Sequence, residues 1–182
     1  AERHAASEAA GKLRGLGMSN PIEVAGGPFV KPGKDQSRLS VSADGTVTLY
    51  SGIMSVGQGT ETAFSNLVAE RLGIPVEDVV YVQGDTDVLA GGRGNGGSSA
   101  TPVGASSVTI TVDNLIAAAK PMAAEMLQTG ADSIDFGDGS FKVPETGASV
   151  TLKEVAAFAT EKSPDGLQAS GEFDPTGVTY PN

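Results

Sequence analysis

The chain contains no cysteine. That excludes disulfides, iron–sulfur ligation by this chain and a thiolate nucleophile. Its one histidine, His4, sits in a charged N-terminal stretch and reads as a solvated tail residue, which leaves none for a His-rich metal site or a Ser–His–Asp triad. Tryptophan is absent and aromatics make up only 5%, so the core must be built from Val, Leu, Ile and Ala. Basic residues are scarce: 12 Lys and Arg stand against 22 Asp and Glu, a net charge of −10. A surface of that sign repels phosphate backbones, so nucleic-acid binding is not expected. Any phosphate this chain holds must be gripped largely by main-chain amides. No stretch approaches the roughly 20 apolar residues of a membrane span. The start, Ala1-Glu2-Arg3-His4, lacks the charged-then-apolar layout of a signal peptide. The expected location is cytoplasmic, or periplasmic where the parent carries an export signal. With no initiator Met and an abrupt stop at Tyr180-Pro181-Asn182, the chain reads as a piece of something longer.

What is present in quantity is glycine, 25 residues in 182. Two glycine-rich loops stand about forty residues apart: Gly57-Gln58-Gly59, and the run Gly91-Gly92-Arg93-Gly94-Asn95-Gly96-Gly97-Ser98-Ser99. Ordering glycine is unfavourable by roughly 0.5–1 kcal/mol per residue relative to alanine in regular structure. A chain tolerates that where it needs positive φ, or where its backbone must approach a ligand closely. Each loop runs into an apolar stretch of helical spacing, so free N–H groups converge there. That arrangement suits an anion or a phosphorylated cofactor.

The remaining punctuation predicts an α+β fold, a mixed sheet with hairpins packed against two or three helices. Residues 1–36 read as a lead-in, with a helical or flexible arm over 1–13 and an irregular segment from Pro21 to Asp35; residues 37–182 form the main unit. Leu39 and Val41, then Asp44-Gly45, then Val47 and Leu49 give a hairpin. Thr60 is placed to cap a helix whose face carries Phe64, Leu67, Val68 and Leu72 and which stops at Gly73 and Pro75. Val79, Val80 and Val82 read as a buried strand, giving strand–loop–helix–strand order. A long helix is expected over 102–128, kinked at Pro121. A second small hairpin spans Ile134 to Val143, and Thr151-Leu152-Lys153-Glu154 is a capping box for a helix through Ala159. From Glu161 onward the chain reads as turns.

Residues 52–60 nearly match a P-loop, but Gln58 stands where Lys is needed and Gly59 displaces the Ser/Thr. Nucleotide hydrolysis therefore lacks its point charge. Two readings stand: a tight strand-to-helix turn, or a site in which the Gln58 carboxamide offers donor and acceptor to a heterocycle edge or an oxo group. The second loop loosely imitates a dinucleotide fingerprint, and again two readings stand. One is a flexible surface loop. In the other, Ser98, Ser99 and Thr101 add hydroxyls where the next helix starts. Asp85 and Asp87, like Asp132, Asp135 and Asp138, read as turn caps rather than metal ligands.

The order and spacing of these residues resemble the molybdenum hydroxylases, the large-subunit family of xanthine dehydrogenase, aldehyde oxidoreductase and aerobic carbon monoxide dehydrogenase. The likeness runs from Gly11-Lys12-Leu13-Arg14-Gly15-Leu16-Gly17 to the C-terminus and covers Asp44-Gly45-Thr46-Val47, Gly57-Gln58-Gly59-Thr60-Glu61-Thr62, Gly73-Ile74-Pro75, Val82-Gln83-Gly84-Asp85-Thr86 and Gly94 to Gly104. It implies an oxidoreductase domain that binds molybdopterin, as the cytosine dinucleotide, carrying molybdenum on a dithiolene, jointly with regions of the large subunit outside this chain. Gly57, Gln58 and Gly59 would face the pterin and the metal; Gly96, Gly97, Ser98 and Ser99 would hold the pyranopterin and its phosphate. Many relatives carry Gly-Ser-Arg-Ser in the second loop, where Gly97-Ser98-Ser99 here has no Arg.

The resemblance further implies a parent that hydroxylates an aldehyde, a purine-like heterocycle or a related small molecule. Its partners are the rest of the large subunit, an iron–sulfur subunit and a flavin (FAD) subunit. The family's catalytic glutamate lies in a Gly-Glu motif beyond the matched region. No catalytic residue and no protein metal ligand is therefore expected in this chain, and the isolated chain is expected to be inactive. Two other readings remain: a non-enzymatic assembly or partner-binding module with the same fold, and a generic phosphate- or nucleotide-binding domain.

Overall fold

The computed structural model describes residues 1–20 and 33–176. The irregular segment expected from Pro21 lies mostly outside the described residues. Helix α1 spans Glu2–Ala9. Strands β1 (Asp35–Val41) and β2 (Val47–Ser51) form the expected hairpin, with Asp44 Oδ1 accepting the Thr46 N–H at the turn. Helix α2 (Thr60–Leu72) leads into β3 (Val79–Gln83). A single π turn over Ala100–Ala105 opens α3 (Ser106–Met126). The short strands β4 (Asp135–Gly137), β5 (Ser140–Lys142) and β6 (Ser149–Thr151), then α4 (Leu152–Lys162) and β7 (Leu167–Phe173), complete the order.

The larger sheet runs β3-β2-β1-β7; β1 is antiparallel to both β2 and β7, while β2 and β3 are parallel. Parallel pairing of consecutive strands requires a crossover, which α2 supplies. Strands β4, β5 and β6 make a separate antiparallel sheet. On β1 every second residue is buried, beginning at Asp35, and α3 packs across β1 and β7. Leu39 pairs with Leu49 and Ala169, and Val41 with Val47 and Leu167. These meet Val108, Val112, Leu115 and Ala119 of α3 and Phe64, Val68 and Leu72 of α2 in one core.

The buried stripe changes character along the strands. At the hairpin end it is hydrocarbon. At the opposite end the paired row is Ser37, Ser51 and Gly171, with Asp35 beyond it. There Ser37 Oγ lies 2.6 Å from Thr111 Oγ1, and Ser107 Oγ lies 3.4 Å from both Ser37 Oγ and Asp35 Oδ2. Buried hydroxyls and a carboxylate are tolerated because each finds a partner.

Several expectations change. Thr60 does not cap α2: Gly59, in the left-handed region at φ 83°, is the N-cap, and Thr60 is the buried first helical residue. A threonine could occupy that left-handed position only with strain. Strand β3 is half-exposed rather than buried, because it forms the sheet edge, and Val80 is 45% exposed. The long helix, expected over 102–128, is α-helical over Ser106–Met126 behind a π turn; Pro121 stands within it on the exposed face, where water can bond the carbonyl that its missing N–H leaves free. The largest change is at the C-terminal end. The segment read as turns holds the last two residues of α4 and then the seven-residue strand β7. Its inward row is Leu167, Ala169, Gly171 and Phe173, with Leu167 buried and Phe173 half-buried at its ends; small residues take the middle because α3 lies directly on it.

Candidate functional site

Because β2 and β3 are parallel, their C-terminal ends lie side by side, with Ser51 opposite Gln83. The first glycine loop leaves β2 there and the second segment leaves β3 there. Crevices at the carboxyl ends of parallel strands are where open sheets hold ligands. The antiparallel β1 begins at the same end, which brings Asp35 beneath both loops.

The first loop is tied down by three carboxamides. Gln58 Oε1 accepts the Val56 N–H at 2.6 Å and its Nε2 donates to Met54 O at 2.7 Å. Gln83, at the end of β3, accepts the Ser55 N–H at 2.5 Å and donates to Ser55 O at 3.3 Å. Asn95 Nδ2, from the second loop, donates to Met54 O at 2.5 Å. One carbonyl therefore receives both Gln58 and Asn95, and the two glycine loops meet on it. Tyr81 adds a hydroxyl bond to Ile53 O at 2.6 Å, and burial raises its pKa above the ordinary phenol value.

A second contact brings the backbones together. A Cβ built on Gly52 would lie 2.7 Å from Gly92 Cα and 2.6 Å from Asp35 Oδ1; one built on Gly92 would lie 2.6 Å from Gly52 Cα. Only glycine on both sides allows that approach. An open cleft of about 200 Å³ lies beside it, lined by Ser51, Gly84, Asp85, Thr86 and Leu89 together with the Gly91–Gly94 run. Asp85 Oδ1 accepts the Asp87 N–H at 2.9 Å and so caps its own turn.

The residues read from the sequence as cofactor contacts divide by exposure. Gly57, Gln58, Gly59, Gly96 and Ser98 are exposed, and Gly97 is half-buried. Among the described residues, the N–H groups of Gly57, Gln58, Gly59, Gly96, Gly97 and Ser98 have no protein acceptor. A Cβ added at Gly57, Gly59, Gly94 or Gly96 would meet nothing within 4 Å. Ser99 is different. It is fully buried, and both its hydroxyl (2.7 Å) and its N–H (3.3 Å) donate to Gly96 O, so it shapes the loop from within. Ser98 sits at φ 54°, an uncommon backbone for serine.

These observations test the fit of a molybdopterin group. Unpartnered amides over open space match a polar, polyanionic organic ligand, and no cysteine is required because the cofactor brings its own sulfur. Glu61, in the first turn of α2, opposes an anion at that helix start. The first loop does stand in a β–α–β crossover, but it has neither a P-loop lysine nor a charge-free helix entry. Sequence reasoning missed Asn95 and Asp35. Asn95 was visible as a lone carboxamide among glycines, whereas nothing in the chain near Asp35 marks it.

A family model described as "Molybdopterin cofactor-binding domain" matches residues 1–182. The chain is 30% identical to the carbon monoxide dehydrogenase large chain of Afipia carboxidovorans over 188 residues, covering 93% of this chain and 22% of that protein. It is 32% identical to the 6-hydroxypseudooxynicotine dehydrogenase complex subunit gamma of Paenarthrobacter nicotinovorans over 178 residues, covering 94% of this chain and 22% of that protein. The reconstituted CO dehydrogenase from Oligotropha carboxidovorans superposes with a TM-score of 0.76 at 28% identity, covering 98% of this chain and 24% of that one. The chain thus spans about 22% of the length of these curated relatives.

Proposed function

The chain belongs to the molybdopterin cofactor-binding domain family of molybdenum-dependent hydroxylases and dehydrogenases, and from that premise we propose how its own residues hold the cofactor. The meeting of both glycine loops on Met54 O carries this reading. Gly57, Gln58 and Gly59 offer amides and a carboxamide to the pterin side. Gly96, Gly97 and Ser98 offer amides and a hydroxyl to a phosphate, and Ser99 keeps that loop in shape from beneath. When bound, the cofactor supplies the molybdenum redox chemistry; the chain supplies position and a lattice of neutral dipoles. Neutral donors suit this chain, since at a net charge of −10 it has few cations to spare.

The finer assignments extend this reading. The bound form is molybdopterin cytosine dinucleotide. Residues 1–36 are a lead-in, and residues 37–182 are the cofactor-binding unit of a longer large subunit, which assembles with iron–sulfur and flavin subunits. The relatives' own names, "large chain" and "complex subunit gamma", support such an assembly. Those names also point to different substrates at similar identity, carbon monoxide and 6-hydroxypseudooxynicotine. That supports a parent oxidoreductase whose small-molecule substrate is selected by regions other than these loops.

Titration calorimetry of the chain with molybdopterin cytosine dinucleotide, against ATP and NAD at equal concentration, tests the reading. Heat with the first alone is expected; thermal stabilisation by ATP or NAD instead would favour an ordinary nucleotide site. A full-length parent that keeps all its activity as Gln58→Ala would remove Gln58 from the site.

A further inference from the structure

Asp35 lies at the end of a strand, yet its residue is fully buried. A carboxylate is normally excluded from such a position unless its oxygens are engaged. Here each oxygen faces a different element. Oδ1 accepts the Arg93 N–H of the second loop at 2.8 Å and lies where a side chain on Gly52 of the first loop would begin. Oδ2 faces Ser107 Oγ of α3 at 3.4 Å, and Ser107 is itself anchored to Gly104 O at 2.9 Å. One carboxylate thus touches the roots of both glycine loops and the helix that follows the second.

We infer that Asp35 is the positioning residue of the recess: it clasps the Gly92–Arg93 peptide against Gly52 and so sets how far apart the two loops stand. Asn95 closes the tips of the loops at Met54 O; Asp35 fixes their bases. With both ends fixed, the unpartnered amides between them keep their spacing before a ligand arrives, so less ordering remains for binding to accomplish. The role of that spacing in holding a cofactor rests on the function proposed above; the clasp itself does not.

Residue-resolved amide hydrogen exchange on the ligand-free chain separates the two. In the wild type the Arg93 amide is protected. In Asp35→Ala its exchange accelerates at least about tenfold, as does that of neighbouring loop amides, while β1, β7 and α3 exchange as before. Asp35→Asn keeps a carbonyl oxygen for the Arg93 N–H and restores the protection. Gly92→Ala, which wedges a methyl against Gly52 from the exposed side, reproduces the Asp35→Ala pattern without touching the core, and it decides the matter should Asp35→Ala fail to fold.

An unprotected Arg93 amide in the wild type would overturn the inference. So would acceleration spread evenly over β1, β7 and α3, or an Asp35→Asn chain that behaves like Asp35→Ala. Titration with molybdopterin cytosine dinucleotide then tests the reading beneath: at least about tenfold weaker binding in Asp35→Ala, with wild-type binding in Asp35→Asn, is expected. Absence of binding by the wild type would overturn the claim that these loops suffice to hold the cofactor and leave the exchange result standing.

Discussion

Gly96 has no positive φ and no neighbour within 4 Å of the place its Cβ would take, so nothing in the fold requires glycine there. A ligand would. Gly96→Ala is therefore expected to leave the unfolding free energy within about 0.5 kcal/mol of wild type. It should weaken binding of molybdopterin cytosine dinucleotide at least about tenfold, the first read by denaturant melts and the second by calorimetry. Asp35 gives the opposite kind of residue, one the interior constrains. Burial raises its carboxyl pKa above the usual value, outweighing the bonds from Arg93, Gln36 and Ser107. The folded state then binds more protons than the unfolded one between pH 3.8 and the raised folded value, so this group opposes folding above that window and stops doing so as pH falls through it. The stability of Asp35→Asn relative to wild type should accordingly be greatest near neutral pH and shrink toward pH 4 in urea melts. Asp44, Glu154 and Glu172, whose pKa values are lowered, act with the opposite sign, but they cancel in that difference.

At the scale of elements, local rules were legible where they close within a few residues. The capping box at α4 is complete: Thr151 Oγ1 accepts the Glu154 N–H at 3.2 Å and Glu154 Oε2 accepts the Thr151 N–H at 2.7 Å. Thr151→Ala should destabilise the chain by about 1 kcal/mol by chemical denaturation. The β1–β2 hairpin, the helix ending at Gly73 and the Phe136–Phe141 hairpin follow the same logic. Strand β7 does not. It alternates strictly, with Leu167, Ala169, Gly171 and Phe173 on one row, but the middle of that row is only Ala and Gly and carries little hydrophobic weight, since Gly171 is there to admit α3: a Cβ at that position would lie 2.5 Å from Thr111 Oγ1 and 2.7 Å from Thr111 N. Gly171→Ala should force helix and strand apart and lower stability by about 1–3 kcal/mol, with the loss of near-ultraviolet signal arriving at lower denaturant.

Across the whole molecule, charge and topology work together. A chain at −10 repels an anionic cofactor at long range, so the grip must be short-ranged and dipolar. Raising sodium chloride from about 10 mM to about 150 mM screens that repulsion while leaving amide contacts intact. The dissociation constant for molybdopterin cytosine dinucleotide should hold steady or fall about twofold; a steep rise, as at a lysine-built phosphate site, would contradict the dipolar grip. Among the described residues no helix is long and apolar enough to cross a membrane.

Composition and local spacing alone determined that this chain builds an aliphatic core, contributes no cysteine chemistry and carries two glycine loops suited to an anionic organic ligand, because those properties depend on residues near one another. Tertiary structure decided the rest. The parallel β2–β3 pairing places the loops at one sheet end, the β1–β7 pairing turns a turn-like tail into sheet, and the burial of Asp35 joins residues 35, 52, 93 and 107 at a single carboxylate. Which segments pair at long range is not written in local spacing, since each partner need only be small or able to hydrogen-bond where the fold brings it.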